Sequence, residues 1–459
     1  MQEREQLATR LGFLLVSAGC AVGIGNIWRF GFITGQYGGA AFVVIYLIFL
    51  AILGFPIMTM EFSIGRAAQK NLAGAMETLQ PSGSKWSVYG HIGILGNLIL
   101  MMFYTTVAAW TLSYLYHSAA GHLIGKSPDE LGAFFGGLLG NPLELTIWVF
   151  VVVLVGYLVC ALGLKRGVEN VGKAMMGGLF IILIVLAVRA VTLPGAGAGL
   201  DFYLRPDFSK LTAAGVYAAM SQAFFTLSLG IGSMAIFGSY INRQRALAGE
   251  SVRVIGIDTF VALMAGLIIF PTAAAFGVDA GAGPGLVFIT LPNIFNEMAG
   301  GQIWSVLFFL LLVLAAMTTA VAVFENLTAY AMDQWGWSRK KTVIVEGIVV
   351  FALSMPCVLG FSVWSHIQPL GEGSAFIDLW DFIVSFLLLP IGSLIFALFC
   401  SHKFGWGWDN FLAEANEGIG LKFPRSLRFY CGVILPIIVA VVLVVGILEK
   451  FAPGVLPWG

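Results

Sequence analysis

Blocks of about twenty apolar residues recur along this sequence, and they constrain its fold more than any other feature. Clear examples cover residues 143–163, 175–191, 343–361 and 429–448. A helix of that length crosses the hydrocarbon core of a membrane, where every backbone N–H and C=O must be bonded within the protein. Closed barrels also meet this requirement, but the blocks lack the strict alternation of barrel strands. The sequence therefore predicts an all-α polytopic membrane protein.

The charge and cysteine content agrees with this class. Charged residues make up 10% of the 459 residues, against about 25% in soluble domains. The formal net charge of zero argues against a nucleic-acid-binding protein. The polar residues 1–10 run directly into an apolar block, so we expect no cleavable signal peptide. The cysteines lie in or beside apolar blocks without metal-site spacing, and we interpret them as packing residues: Cys20, Cys160, Cys357, Cys400 and Cys431.

We predict eleven transmembrane spans, centred near residues 22, 52, 102, 153, 181, 226, 264, 317, 351, 389 and 438. Of the 24 Lys and Arg residues, 18 fall on one side of the predicted membrane. Cytoplasmic connections carry the excess of positive charge. We therefore expect a protein of the inner (plasma) membrane with a cytoplasmic N-terminus and, after an odd number of spans, an extracytoplasmic C-terminus. The other side holds Arg29, Lys126, Arg189, Arg205, Lys210 and Lys450.

Two of the predicted spans carry matching interruptions. Residues 18–26 and 225–233 each centre on Gly-Ile-Gly followed by a polar side chain, and the two spans lie five apart. Glycine costs about 1 kcal/mol in a helix, so paired glycines favour unwinding of spans one and six. Because five is odd, the second copy is inverted, which predicts a 5+5 inverted repeat of residues 8–192 and 212–402, followed by an eleventh span at 425–450. Alternatively, the glycines only let helices approach closely.

Polar side chains inside predicted spans are candidates for function, because they are costly in lipid. Unwound backbone beside a cavity can bind a cation through its carbonyls, and the N-terminus of a half-helix can bind an anion. Asp258 is the sharpest case, since a carboxylate among Ile255, Ile257 and Phe260 must find a cation or take up a proton. Hard oxygen ligands of this kind suit sodium. The other candidates are Glu61, Glu325, Asp381, Asn26, Gln222, Thr226, Ser228, Thr318 and Thr319.

Several segments resemble the neurotransmitter:sodium symporter family, and in particular its bacterial amino-acid transporters. The resemblance implies a transporter, not an enzyme, with unwound spans one and six. Many family members have a twelfth span, whereas eleven are predicted here. The likeness runs from residue 8 to about residue 440 and leaves the five-plus-five core complete. It is carried by Ala8-Thr9-Arg10-Leu11-Gly12, Gly23-Ile24-Gly25-Asn26-Ile27-Trp28-Arg29-Phe30, Gly38-Gly39-Ala40-Ala41-Phe42, Gly54-Phe55-Pro56, Glu61, Gly65-Arg66, Gln222-Ala223-Phe224-Phe225-Thr226-Leu227-Ser228, Phe288-Ile289-Thr290-Leu291-Pro292 and Thr318-Thr319.

The resemblance implies two sodium ions and no organic cofactor. Chloride-dependent members have an asparagine in place of Asp258 and a serine in place of Ala262, so the Asp258 carboxylate is expected to substitute for chloride. The first sodium ion would be bound by the substrate carboxylate, by the carbonyls of Ala21 and Thr226, and by the side chains of Asn26, Thr226 and Asp258. The second would be bound by the carbonyls of Gly19, Val22 and Ala315 and the hydroxyls of Thr318 and Thr319.

The resemblance also implies that the substrate is an amino acid, moved across the lipid bilayer. Monoamine carriers of the family have an aspartate in place of Gly23, so the substrate here should bring its own carboxylate, which Gly25 and Tyr104 would bind. An apolar pocket discriminates by about 1–3 kcal/mol per methylene, which favours a range of hydrophobic or aromatic L-amino acids. That pocket is predicted from Leu100, Val107, Ile231, Ala320 and Val323. The other predicted substrate-binding residues are Ala21, Gly23, Phe225, Thr226, Ser228 and Thr319.

The resemblance assigns the gate to an aromatic ring and an ion pair. Phe225 is expected to close over the substrate from outside. Arg29, one turn outward from Asn26, is expected to pair with an acidic residue of span ten, either Asp381 or Asp378.

The sequence thus predicts chloride-independent, sodium-coupled uptake of an amino acid, and two alternatives stay open. One is a proton-coupled amino-acid transporter of the same architecture, in which Asp258 or Glu325 would titrate. The other is a sodium channel or a sensor without turnover. An integral membrane enzyme is disfavoured, because the histidines at positions 91, 117, 122, 366 and 402 form no cluster with cysteines and carboxylates.

Overall fold

The computed structural model of the protein describes residues 5–278 and 285–456, and the regular secondary structure of this part of the chain is helical. Its one β-type contact is an isolated bridge between Arg245 and Ile419. Five short π-helical stretches interrupt or precede longer helices: Leu50–Gly54, Leu164–Glu169, Leu286–Thr290, Phe382–Leu388 and Tyr430–Ile434. Three 3₁₀ turns lie at Phe208–Lys210, Arg425–Leu427 and Pro453–Val455.

The α-helices of the described residues are α1 Arg10–Ala21, α2 Ile24–Gln36, α3 Ala40–Phe49, α4 Phe55–Ala68, α5 Leu72–Leu79, α6 Ser87–Ala119, α7 Pro128–Gly140, α8 Pro142–Ala161, α9 Asn170–Val191, α10 Gly197–Leu204, α11 Ala213–Thr226, α12 Ser233–Ser239, α13 Leu247–Ala275, α14 Leu291–Glu297, α15 Gly301–Trp335, α16 Arg339–Leu359, α17 Phe376–Asp381, α18 Leu389–Ser401, α19 Trp408–Ala415 and α20 Leu435–Phe451. In the interior, α15 packs against α6, α9 and α1, and α12 packs on α4.

Nine helical segments of the described residues are long and apolar enough to cross a membrane, and α1 with α2 forms a tenth, bent by 47°. The prediction of an all-α, multi-pass membrane protein is therefore confirmed. The remaining predicted span, span six, corresponds to α11 and α12, which the six residues 227–232 separate. The total of eleven spans stays a prediction. The nine segments are Ala40–Ala68, Ser87–Ala119, Pro142–Ala161, Leu164–Val191, Leu247–Ala275, Gly301–Trp335, Arg339–Leu359, Phe376–Ser401 and Arg425–Phe451.

Both predicted interruptions are unwound. Between α1 and α2, Val22 (φ −69°, ψ 94°) and Gly23 (φ −122°, ψ −169°) are extended. Between α11 and α12 the chain turns through Ser228 (φ 51°), Gly230 (φ 106°) and Gly232 (φ 74°). Such positive φ values cost a glycine little, which explains the Gly-Ile-Gly sequence at this break. Ser228 adopts the same region without being a glycine, so the surrounding contacts hold it there.

The backbone of the second break is held by buried side chains. Glu61 accepts hydrogen bonds from the amides of Gly230 (2.6 Å) and Met234 (3.2 Å). The Asn97 amide donates to the carbonyl of Ile231 (2.8 Å). These contacts replace the bonds that a continuous helix would make, as the interior of a membrane protein requires. Glu61, which the sequence marks as a candidate for function, thus supports the unwound backbone.

Other glycines serve close helix packing, as the alternative interpretation of the sequence holds. A Cβ atom on Gly65 of α4 would lie 1.7 Å from the carbonyl oxygen of Ala235 in α12. One on Gly238 of α12 would lie 2.4 Å from the carbonyl oxygen of Phe62. Small residues let membrane helices approach to backbone contact in this way. The sequence therefore uses glycine for both purposes.

The start of α1 is anchored by two buried carboxylates. Glu169 accepts a hydrogen bond from the Thr9 hydroxyl (2.8 Å), and Arg10 forms an ion pair with Glu250 (2.8 Å). Both carboxylates belong to other helical segments, so the first half of span one is fixed at the predicted cytoplasmic end of the bundle.

We expect Gly65→Ala to destabilise the protein and Gly177→Ala to leave it unchanged or slightly more stable. Alanine in place of glycine favours a helix by about 1 kcal/mol, and this gain applies at both positions. At Gly65 the added methyl collides with backbone that cannot move away, whereas nothing lies within 4 Å of a Cβ at Gly177. Thermal unfolding in detergent measures the difference, and equal melting temperatures for the two variants would contradict the tight α4–α12 contact.

Candidate functional site

A small cavity lies between the two breaks, with a volume of about 30 Å³. This is room for about two or three water molecules. All of the predicted substrate-binding residues line it except Val107, Ala320 and Val323, and the last two are buried and line neither cavity. Val107, predicted for the same pocket, lines a second and larger cavity. The lining of the small cavity is Ala21, Gly23, Gly25, Asn26, Leu100, Tyr104, Phe225, Thr226, Ser228, Ile231, Thr319, Val384 and Leu389.

One end of the small cavity suits a carboxylate. Helix α2 begins there at Ile24, and the Ile24 amide donates to the Tyr104 hydroxyl (3.4 Å). Amides in the first turn of a helix have no partner within the helix, and the helix dipole favours a negative charge beside them. A Cβ on Gly23 would lie 2.9 Å from the Tyr104 hydroxyl and 3.0 Å from the Thr319 hydroxyl. A side chain at residue 23 would therefore crowd this end of the cavity.

The side chains of Asn26, Thr226 and Asp258 meet beside the small cavity, and all three are buried. The Asn26 amide donates to Asp258 Oδ1 (2.7 Å) and to the Thr226 hydroxyl (2.9 Å), which donates to Asp258 Oδ2 (3.1 Å). Neither partner of the Asp258 carboxylate carries a charge, and no cationic side chain of the described residues pairs with it. A buried carboxylate without a cationic partner is strongly disfavoured. A hard cation such as sodium fits this group of oxygens.

The Asn26 side chain is turned differently from the prediction. Its Oδ1 atom accepts a hydrogen bond from the Gly23 amide (2.9 Å), so the amide nitrogen faces the carboxylate. Oxygen and nitrogen of an asparagine amide are assigned from their hydrogen bonds. For Asn26 Oδ1 to bind the ion directly, the side-chain amide would have to flip, so that Oδ1 and not the nitrogen faces the Asp258 carboxylate. The flip would break the hydrogen bond between Oδ1 and the Gly23 amide.

A second group of oxygens lies where α1 meets α15. The Thr319 hydroxyl lies 3.1 Å from the carbonyl oxygens of Gly19 and Val22, and the Thr318 hydroxyl 2.9 Å from that of Ala315. Each hydroxyl carries one proton, whereas the five oxygens together offer many lone pairs. Such a surplus of acceptors fits a hard cation. The structure thus brings together every residue predicted for the second sodium ion.

Phe225 separates the small cavity from the large one, which has a volume of about 640 Å³. Its ring packs against Gly25, whose added Cβ would lie 2.4 Å from a ring carbon. On the other side, the Arg29 guanidinium lies 4.4 Å from the ring centroid, a cation–π contact. The ring and the arginine together therefore form the partition between the two cavities.

The predicted ion pair of the gate is not formed. Asp378, Asp381 and Arg29 all line the large cavity, but within the described residues neither carboxylate pairs with Arg29. Asp381 instead accepts a hydrogen bond from Ser385 (2.6 Å), and Asp378 accepts one from the Ala375 amide (2.7 Å). Both acids are thus engaged within their own helical segment, and the Arg29 Nη1 atom makes no hydrogen bond.

Glu325 lies outside the two oxygen groups. Its carboxylate forms an ion pair with Arg339 (2.6 Å) and accepts a hydrogen bond from Tyr240 (3.0 Å). A carboxylate satisfied in this way supports the packing of α15 and α16. Glu61 and Asp258 are both buried without a charged partner among the described side chains, but Glu61 bonds the backbone of the second break, whereas Asp258 lies beside the small cavity with Asn26 and Thr226.

Sequence comparison identifies the family. The model of the sodium:neurotransmitter symporter family matches residues 4–129 and 139–456. The chain belongs to this family. The family consists of sodium-dependent transporters and not of enzymes, which confirms the resemblance found in the motifs.

Individual relatives are similar to this chain over almost its whole length. A Bacillus subtilis protein described as an uncharacterized sodium-dependent transporter, YhdH, is 33% identical over 452 residues, which cover 98% of this chain and 99% of that protein. The human sodium- and chloride-dependent taurine transporter is 26% identical, over 95% of this chain and 77% of that protein. The crystal structure of MhsT in complex with L-phenylalanine matches with a TM-score of 0.87 at 39% identity, over 96% of this chain and all of that one.

Two lining residues of the small cavity were not predicted, Val384 and Leu389. They come from span ten, of which the sequence singles out only the acids Asp378 and Asp381, for the gate. The large cavity also includes Glu449 of α20, a segment the sequence places outside the repeat. No local pattern marks these residues, because their position depends on how distant helices pack.

We expect Thr318→Ala to weaken sodium binding, and Thr318→Ser to preserve most of the affinity for sodium. The alanine variant removes one of the five oxygens, whereas serine keeps the hydroxyl. A hydrogen bond or ligand to a charged group contributes about 1.5–3 kcal/mol, so the half-maximal sodium concentration should rise roughly 10- to 100-fold. The half-maximal sodium concentration is measured by titrating substrate binding with sodium. An unchanged midpoint in Thr318→Ala would refute the second ion site.

Proposed function

We propose that this chain couples the inward movement of an apolar or aromatic L-amino acid to sodium. The observation that carries the proposal is the adjacency of two complementary sites. The start of α2 and the Tyr104 hydroxyl suit a carboxylate, and the buried Asp258 group beside them suits a cation. An amino acid supplies the first charge and a sodium ion the second.

Coupling follows from this adjacency. A substrate carboxylate at Gly25 would lie beside Asn26 and Thr226, which line the same small cavity, and could complete the shell of the first sodium ion. Each ligand then raises the affinity for the other, and the effect is reciprocal by thermodynamic necessity. Together with the second group of oxygens, this supports two sodium ions for each amino acid.

The similarity to MhsT supports the substrate class. That protein was crystallised in complex with L-phenylalanine and aligns with almost the whole of this chain. The apolar residues of the small cavity, Leu100, Ile231, Val384 and Leu389, favour a hydrophobic side chain here as well. Since the small cavity holds only about two or three water molecules, a large side chain requires Phe225 to move toward the large cavity, which it also lines.

The large cavity is proposed as the entrance from outside. The bias of positive charge toward the opposite connections supports this orientation. Phe225 and Arg29 stand between the entrance and the small cavity, so their movement would control access. Residues 8–192 and 212–402 are proposed as the two inverted halves, each contributing one broken span.

The test of the function is uptake of labelled L-phenylalanine into proteoliposomes under imposed gradients. We expect accumulation with an inward sodium gradient and none with a proton gradient alone. Collapse of the sodium gradient by an ionophore is the control. Accumulation driven by protons would establish the proton-coupled alternative, and binding without accumulation would indicate a sensor.

We further expect that transport does not require chloride. The Asp258 carboxylate provides a fixed negative charge near the first sodium ion, and Ala262, one turn along α13, offers an anion no donor. At about 4 Å and an effective dielectric constant near 20, such a pair of charges attracts by roughly 4 kcal/mol. A bound chloride ion would contribute a similar amount.

The measurement is uptake with chloride replaced by gluconate, in the native protein and in a variant combining Asp258→Asn with Ala262→Ser. The native rate should not change. The double variant, which lacks the fixed charge, is expected to transport only with chloride present. Loss of native uptake in gluconate would show that the carboxylate does not replace chloride.

A further inference from the structure

Span ten closes directly against the second break. A Cβ atom on Gly392 of α18 would lie 1.8 Å from the carbonyl oxygen of Gly230. A Cβ on Gly230 would in turn lie 2.1 Å from the carbonyl oxygen of Leu389. Backbone therefore meets backbone at this contact. The position of span ten is fixed relative to the cavity that the break lines.

A tyrosine hydroxyl joins the same two segments. Tyr89 of α6 lies 2.8 Å from the carbonyl oxygen of Gly230 and 3.2 Å from that of Leu388, and its single proton serves both. Leu388 ends the π-helical stretch Phe382–Leu388. The extra residue of a π-helical turn leaves backbone groups without their usual partners and often occurs at functional sites. Tyr89 supplies a partner for one of these carbonyls.

This arrangement turns two apolar side chains of span ten toward the small cavity. Val384 and Leu389 line it, and their exposed fractions are only 1% and 2%. Leu100 and Ile231 complete the apolar part of the lining. At the opposite end lie the start of α2 and Tyr104, which suit the carboxylate. The side chain of a bound amino acid therefore points toward span ten.

The apolar wall has little room to retreat. A Cβ on Gly96 would lie 2.8 Å from Ile231 and 3.1 Å from Leu388, so α6 packs closely behind the wall. The backbone contact between Gly392 and Gly230 blocks movement of α18 toward the break. Changes in the volume of the lining side chains are therefore transmitted to the substrate and are not absorbed by the surroundings.

We infer that Val384 and Leu389 determine which side chains the transporter accepts, by setting the depth of the small cavity at span ten. The inference rests on the proposed function, because it assumes that an amino acid binds there. Selection occurs by size alone, since neither residue offers a hydrogen bond. An apolar wall of this kind changes the preference between two substrates by about 10- to 200-fold for each methylene that it accommodates or excludes.

The test uses Val384→Ala, which deepens the cavity, and Val384→Leu, which makes it shallower. Binding of L-alanine, L-leucine, L-phenylalanine and L-tryptophan is measured at saturating sodium by competition with labelled L-phenylalanine. Val384→Ala should raise the affinity for tryptophan relative to alanine about tenfold or more. Val384→Leu should shift the ratio in the opposite direction.

The control is Ile383→Ala, a truncation to alanine at the neighbouring residue, which lines neither cavity. It should keep the native order of affinities. Leu389→Val provides an independent measurement if a variant at residue 384 does not fold, and it should also favour larger side chains.

The outcomes separate the two claims. If the native protein binds none of these amino acids with sodium, the proposed function fails. If the native protein binds them and the variants at residues 384 and 389 keep the same ratios as Ile383→Ala, the role of span ten is overturned.

Discussion

The rest of the structure depends on one constraint, that backbone unwound inside a membrane must still be hydrogen-bonded. At the second break, Glu61 and Asn97 supply those bonds from neighbouring helices. Because both partners are buried, they hold the unwound backbone from inside the protein. Its carbonyls, its amides and the start of α2 can then face a common cavity at the centre of the bundle.

Two buried carboxylates near the breaks differ in how they are satisfied. Glu61 accepts hydrogen bonds from two backbone amides. These bonds satisfy its oxygens but do not neutralise its charge. Asp258 is bonded to the neutral side chains of Asn26 and Thr226, so its charge remains uncompensated by any described side chain. A buried charge of this kind favours uptake of a cation over an empty site. Neither carboxylate has a charged partner among the described side chains, so position separates them: Glu61 bonds the backbone of the break, whereas Asp258 lies with Asn26 and Thr226 beside the small cavity.

Much of the fold and the polar part of the site could be predicted from the sequence. The apolar blocks locate the spans, and Gly-Ile-Gly marks both breaks, because local backbone conformation depends on local residues. The apolar wall of the cavity could not be predicted in the same way. Val384 and Leu389 reach it through a π-helical stretch and the backbone contact of Gly392, which depend on packing between distant segments. Ala320 and Val323, inferred from resemblance alone, are buried but do not line the small cavity.

The two ends of the bundle are in different states, and this difference bears on how transport proceeds. At the predicted cytoplasmic end, Arg10 is paired with Glu250, which anchors the first half of span one. At the other end, Arg29 lies over Phe225 and forms no pair with Asp381, so the large cavity stays open. Closing the large cavity with an ion pair therefore requires a new contact for Arg29. Opening the opposite end requires the loss of the existing pair between Arg10 and Glu250. A ligand shifts such an equilibrium only by binding one state more tightly. An ion bound between α1 and α15 would meet that condition in a state that keeps its ligands together, since the carbonyls of Gly19 and Val22 come from the end of α1 and the hydroxyl of Thr319 from α15.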